Sequence, residues 1–177
     1  MRYKIILSYL LLFFIFSASQ LRAQGEKVVT DVAFKFTVTL PAGWENKDMK
    51  ETTDKDAISY SFEGKDKKMA IMILAFKLSS VKNIEDFIYN LEKDISLNIP
   101  PKSGDYSEED SGRYDMKNAR YKDDKFEETI YYFRTKLPDA PNNYVYMLRF
   151  ITEAKDYNSD TETLVKSIAG TFTPTAE

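Results

Sequence analysis

The sequence predicts an α+β fold: an antiparallel β-sheet flanked by helices on both faces, an α/β/α sandwich in the order β-β-β-α-β-β-β-α. Three observations carry that prediction. Apolar runs with strand periodicity fall into two groups, and within each group the connections are short and polar, as between antiparallel neighbours. Each group is followed by one amphipathic helical stretch, and helices set apart from runs of strands define the α+β class. Residues 69–76 and 144–151 are apolar on both faces, and such a strand needs cover on both sides.

In order, residues 33–40 alternate. Phe34, Phe36, Val38 and Leu40 point one way and Lys35, Thr37 and Thr39 the other, which makes a strand with one buried face. Pro41-Ala42-Gly43 ends it, because proline cannot donate to a ladder and glycine permits the turn, and Trp44 follows directly. Residues 45–56 are charged and read as a weak strand and a loop. Residues 57–62 alternate through Ile58, Tyr60 and Phe62, and Glu63-Gly64-Lys65-Asp66-Lys67 is a polar hairpin connection into residues 69–76. Asn83 then caps a helix, with Asp86 in its first turn where a negative charge suits the helix start. Ile84, Phe87, Ile88, Leu91 and Ile95 make its apolar stripe, and Pro100-Pro101 ends it.

Residues 102–112 are polar and acidic and read as a surface loop or an edge strand. Strands follow at 113–121 and 127–136, turning at Asp123-Asp124. Residues 137–143 form a loop by composition. Residues 144–151 are interrupted only by Arg149. Ser159-Asp160-Thr161-Glu162 has the form of a capping box, and Leu164, Val165 and Ile168 give the helix behind it an apolar side. Gly170 sits where a C-cap belongs, with Phe172 beyond it as a packing anchor.

The N-terminus reads as a secretory leader. Met1-Arg2-Tyr3-Lys4 is basic, residues 5–16 are apolar apart from Ser8 and Tyr9, and small and polar residues follow to Gln24. The apolar run falls short of the roughly 20 residues that span a bilayer, so cleavage is expected after Ala23, or after Ser19, to leave one domain over residues 24–177. Arg2, Lys4 and Arg22 leave with the leader and no acid does, so the net charge of −3 becomes −6. The expected location is the periplasm or the exterior. The chain has no cysteine, so neither a lipid-modified N-terminal cysteine nor a disulfide is available, and packing alone must carry stability.

Composition also restricts chemistry. Without histidine or cysteine, the Ser-His-Asp triad, its Cys-His relatives and the usual zinc, copper, haem and iron–sulfur ligand sets are closed off. None of the six glycines stands in a G-x-G phosphate loop. Moderate acidity argues against nucleic acid or an anionic membrane as partner. No cofactor is implied.

The segment Phe34-x-Phe-x-Val-x-Leu-Pro-Ala-Gly-Trp44 resembles the opening strand and Pro-x-Gly-Trp turn of the PsbP-like proteins. Ile84-Glu85-Asp86-Phe87 and Ser167-Ile168-Ala169-Gly170-Thr171-Phe172 fit the same plan, so the resemblance runs over about residues 33–173. It implies an antiparallel sheet between helices. The family includes an extrinsic photosystem II subunit, a Ran-binding import factor and the DcrB-like exported bacterial proteins, and the last is the branch expected here. The resemblance implies a docking or assembly module rather than an enzyme, and supplies no catalytic residues.

The candidate interaction residues are Trp44, Arg134, Arg149, Tyr144 and Tyr146. Trp44, the one tryptophan, is either an anchor for a partner or a turn residue folded back on the sheet. Arg134 and Arg149 lie in apolar strand registers, where they either bind an anion or snorkel to water, and Glu127-Glu128 are placed to pair with Arg134. Ten tyrosines and nine phenylalanines lie beyond the leader, and Tyr131, Tyr132, Tyr144 and Tyr146 form either a surface patch or ordinary cross-strand pairs. Asp105, Glu108, Glu109 and Asp110 are the densest acidic group, a calcium candidate without the EF-hand spacing, or else a solvated segment. The leading expectation is a non-catalytic exported module that binds an unknown protein partner, monomeric or weakly oligomeric. A small-ligand or calcium carrier is the alternative, and a carboxylate-based hydrolase stands behind both.

Overall fold

The computed structural model describes residues 25–79, 81, 83–136 and 143–175. The elements in chain order are β1 (Lys27–Asp31), β2 (Phe36–Leu40), β3 (Glu45–Glu51), β4 (Ala57–Glu63), β5 (Met69–Leu78), α1 (Ile84–Lys93), a 3₁₀ turn (Ile95–Leu97), β6 (Lys102–Asp110), β7 (Tyr114–Lys122), β8 (Phe126–Thr135), β9 (Asn143–Glu153), α2 (Ser159–Ala169) and β10 (Thr173–Pro174). Seven strands form one antiparallel sheet in the order β3-β4-β5-β9-β8-β7-β6. β1, β2 and β10 form a second, three-stranded antiparallel sheet. The α+β sandwich expected from the sequence is the fold observed.

Period-2 patterning divides the core into two layers. On one face of the large sheet, Met69, Ile71, Ile73 and Ala75 of β5 join Tyr146, Leu148 and Phe150 of β9 and Tyr131 and Phe133 of β8. This layer is closed by Phe34, Phe36, Val38 and Leu40 from the small sheet and by Val165, Ile168 and Ala169 of α2. Phe172 sits at the junction, with ring centroids 5.5 Å from Phe36, 4.7 Å from Phe133 and 5.2 Å from Tyr146. On the other face, Ile84, Phe87, Ile88 and Leu91 of α1 pack on Ala119, Tyr121, Ile130, Tyr132, Val145 and Met147. Apolar burial of this kind contributes about 25 cal/mol per Å².

Several elements depart from the sequence expectation. The strand expected over 33–40 begins only at Phe36, because residues 32–35 turn and Lys35 has a left-handed φ of 56°. Asp31 holds that turn: its Oδ1 accepts from the Phe34 N–H at 2.8 Å and its Oδ2 from the Tyr60 hydroxyl at 2.7 Å. Phe34 is therefore fully buried from a turn, and β1, which the sequence reading missed, precedes it. Of residues 102–112, Lys102–Asp110 form an edge strand, β6. α1 begins at the expected Asn83, whose side chain accepts from the Asp86 N–H, but ends at Lys93 rather than at the prolines. Asp94 accepts from the Ser96 N–H and the backbone turns left-handed at Asn98, φ 45°, so Ile95 leaves the stripe and stands 94% exposed.

The second helix also differs at its start. The N-cap is Asn158, one residue before the expected Ser159, and its side chain accepts from the Asp160 and Thr161 N–H groups. Gly170 is the C-cap as expected, though in right-handed conformation, φ −65°. Of the expected loop at 137–143, residues 137–142 lie outside the described residues and Asn143 opens β9; the expected leader also lies outside them. Among the described residues no helix is long and apolar enough to cross a membrane.

Candidate functional site

The five candidate residues do not converge; four are spent on the fold, and Trp44 borders a cleft. Tyr146 is fully buried on β9, and its hydroxyl donates to the Phe34 and Lys35 carbonyls at 3.0 and 2.9 Å, tying the large sheet to the β1–β2 turn. Burial pushes its hydroxyl pKa well above the ordinary tyrosine value. Tyr144 is half-buried against the same layer, and its backbone N–H and carbonyl both bond the Thr135 hydroxyl. Tyr131 and Tyr132 are buried on opposite faces of β8.

Arg149 is 5% exposed. Its Nε and Nη2 donate to the two oxygens of Glu128 at 2.6 and 2.7 Å, a bidentate pair, and its remaining donors reach the Leu97 and Asn98 carbonyls at 2.5 and 3.3 Å. Every described partner is internal, so Arg149 pins the 3₁₀ turn to the sheet. The sequence placed Glu127 and Glu128 beside Arg134; the register instead sets Asp115 opposite Arg134, with bonds of 3.0 and 2.6 Å to Asp115 Oδ2. Glu127 pairs with Lys122 at 3.4 Å. Asp115 sits below the ordinary carboxylate pKa range: burial opposes this, but Lys136 and Arg134 together outweigh burial.

Two carboxylates of the acidic segment are likewise engaged. Glu108 meets Lys117 and Asp110 meets Lys136, each at 2.6 Å. Among the described residues no three side chains of metal-ligating type gather. Under α1, Glu92 Oε1 accepts from the Tyr106 and Tyr121 hydroxyls, each at 2.5 Å, and Tyr121 continues to Tyr132 at 3.1 Å. Burial, then the Glu92 contact, pushes Tyr106 up to about 12, and burial also raises Tyr121 and Tyr132.

Two clefts remain. One, of about 720 Å³, runs between the β4–β5 hairpin and the start of α2 and is lined by Trp44, Lys65, Lys68, Asp156 and Asp160. Trp44 is only 9% exposed there and belongs to the core layer, so it offers an edge rather than a free ring. The other is apolar, about 630 Å³, and its origin is geometric. A helix is about 10–12 Å across and strands are spaced about 4.8 Å apart, so α1 seated over β7 and β8 covers β5 only in part. The second face of β5 is left half-buried at Met72, Leu74, Phe76 and Leu78.

Phe87 and Leu91 of α1 form one wall of this groove, with Val81 beside them, and Phe87 meets Phe76 edge-on at 5.7 Å. Beyond the groove on the same face, Ala57 of β4 stands opposite Phe76, and Ser59 and Ser61 stand opposite Leu74 and Met72. Tyr89, 57% exposed, stands at the rim. Of the groove residues the sequence marks Phe87 and Leu91 as core stripe and none as an interaction residue. The one available signal was a strand apolar on both faces with too little helix on one side to cover it.

No family model and no curated protein matches this sequence. Among solved structures, the chain is similar to the Ran-binding protein Mog1p of Saccharomyces cerevisiae, with a TM-score of 0.51 and 13% identity, covering 85% of this chain and 96% of that one. It is also similar to LpqN of Mycobacterium tuberculosis, involved in cell envelope biogenesis, with a TM-score of 0.49 and 16% identity, covering 85% and 91%. The likeness defines a class: the chain shares the α+β sandwich fold of Mog1p. At such identities it shows fold and nothing about partners.

Proposed function

We propose that this chain is a non-catalytic binding module of the cell envelope, of the PsbP-like kind, that takes an apolar segment of a protein partner in the groove between α1 and β5. The observation that carries this reading is the row Met72, Leu74, Phe76 and Leu78, left half-buried, with Phe76 and Leu78 lining the groove beside Phe87 and Leu91 and serines opposite Met72 and Leu74. A contiguous apolar patch with a polar rim is the usual form of a protein-binding surface. The Mog1p fold supports the reading as an analogy, since that protein binds a protein. The leader-like N-terminus supports export.

A photo-activated cross-linking residue at Leu78, compared with one at Lys155, tests the site in cells. Lys155 is 75% exposed and outside the groove. A discrete adduct from Leu78 that is absent from Lys155, and lost on adding Leu74→Glu, is the expected result. Equal adducts at both positions, or none at Leu78, would remove the groove as the site.

A further inference from the structure

Among the described residues the two sheets have four edge strands, and three of them are blunted. β3 carries Glu45, Lys47, Asp48, Lys50 and Glu51 with every residue exposed, and its ladder shifts between Asn46 and Asp48. β6 carries Lys102, Asp105, Glu108, Glu109 and Asp110, and its ladder shifts between Ser103 and Ser107. β10 is two residues long, one of them Pro174. Charge, bulges, proline and shortness are the devices by which proteins stop an edge from pairing with another chain.

β1 has none of these devices at its centre. Its register with β2 is unbroken from Lys27↔Leu40 to Asp31↔Phe36, and among the described residues β2 is its only neighbour in the sheet. Its charges sit at its two ends, with Val28, Val29 and Thr30 between them. Val28 is 64% exposed and Val32, just past the strand, 76%.

We propose that the free edge of β1 pairs with β1 of a second copy of this chain, antiparallel and centred on Val29, joining two three-stranded sheets across a two-fold axis. Identical strands related by a two-fold axis in one sheet run antiparallel, and the contact is self-complementary. The strand Lys27-Val28-Val29-Thr30-Asp31 is built for that operation. Centred on Val29, Lys27 lies opposite the partner's Asp31, and Asp31 opposite the partner's Lys27. Asp31 is 8% exposed and its two oxygens already accept from the Phe34 N–H and the Tyr60 hydroxyl, so the partner's Lys27 meets only its rim and the edge backbone carries most of the pairing. Val28 lies opposite the partner's Thr30 and diagonal to the partner's Val28 and the partner's Val32, within side-chain reach.

Other registers lose this match. Sliding by one residue one way sets Glu26 against the partner's Asp31. Sliding the other way sets Lys27 and Asp31 against valines of the partner subunit. The proposal thus accounts for both the charge order and the exposed valines. Five residues are few beside the roughly 20–30 per side of a standard interface, so the dimer is weak and builds with concentration.

Sedimentation equilibrium on the protein purified from cells expressing the full chain tests this. A monomer–dimer equilibrium is expected between micromolar and millimolar protein. Val28→Lys with Thr30→Lys should weaken it at least tenfold with Tm unchanged, because both side chains point outward, whereas Leu74→Glu in the groove should leave it unchanged. The chain has no cysteine, so single-cysteine variants report register directly. Val29→Cys should cross-link to itself under mild oxidation far faster than Lys155→Cys. A monomer at every concentration, a dimer indifferent to the β1 lysines, or equal cross-linking at Val29 and Lys155 would overturn the proposal. Because the groove and β1 lie on different elements, either reading can fail without the other.

Discussion

At the scale of single residues, the side chains that looked available for recognition in the sequence are mostly the ones the fold consumes. Arg149 illustrates why. Burying a guanidinium among apolar strands requires a partner for each donor, and Glu128, Leu97 and Asn98 supply them. Arg149→Met should therefore cost about 3–5 kcal/mol by leaving Glu128 buried and unpaired, as measured by urea unfolding. Adding Glu128→Leu should recover part of that loss, though not the bonds to the Leu97 and Asn98 carbonyls; a cost below about 1 kcal/mol for the single change would contradict the clamp. The tyrosines give a pH prediction. Tyr106 is raised to about 12 by burial and the Glu92 contact, above the roughly 10 of a free tyrosine. The native state thus holds its proton more tightly than the unfolded state. Its contribution is complete below about pH 10 and is lost as the pH rises through about 12. Stability should fall over that window in the wild type, and less steeply in Tyr106→Phe.

At the scale of elements, the alternating and two-faced strands were legible because side-chain period 2 is local information. Caps were legible to within a residue. Asn83 was found and Asn158 was missed, because Ser159 and Glu162 mimic a capping box in sequence while the backbone enters one residue earlier. Asn158→Ala should cost about 0.5–2 kcal/mol and Ser159→Ala less than about 0.5 kcal/mol; the reverse order by thermal unfolding would restore the sequence assignment. The groove was not legible. A strand apolar on both faces announces cover on both sides, but how far a ten-residue helix reaches across a seven-stranded sheet is not written in any one strand. Ile95 was misplaced for a related reason: Asp94 and Asn98 end the helix early through local hydrogen bonds that compete with helical ones.

At the scale of the whole molecule, the two sheets and α2 meet in one layer through Phe172, so the described chain should unfold as one unit. Phe172→Ala should cost about 3–5 kcal/mol. Urea transitions followed by Trp44 fluorescence and by far-UV circular dichroism should coincide, since Trp44 belongs to the same layer; separate midpoints would break the single-domain reading. The sequence by itself determined the fold class, the order of most elements and the chemistry excluded by having neither histidine nor cysteine, because periodicity and composition are properties of the chain alone. Only the tertiary structure decided that Arg149 and Tyr146 are internal, that one face of β5 is left half-buried and that β1 is the unblunted edge. Burial and edge position depend on which strands become neighbours, and neighbours are set by contacts between residues far apart in the chain.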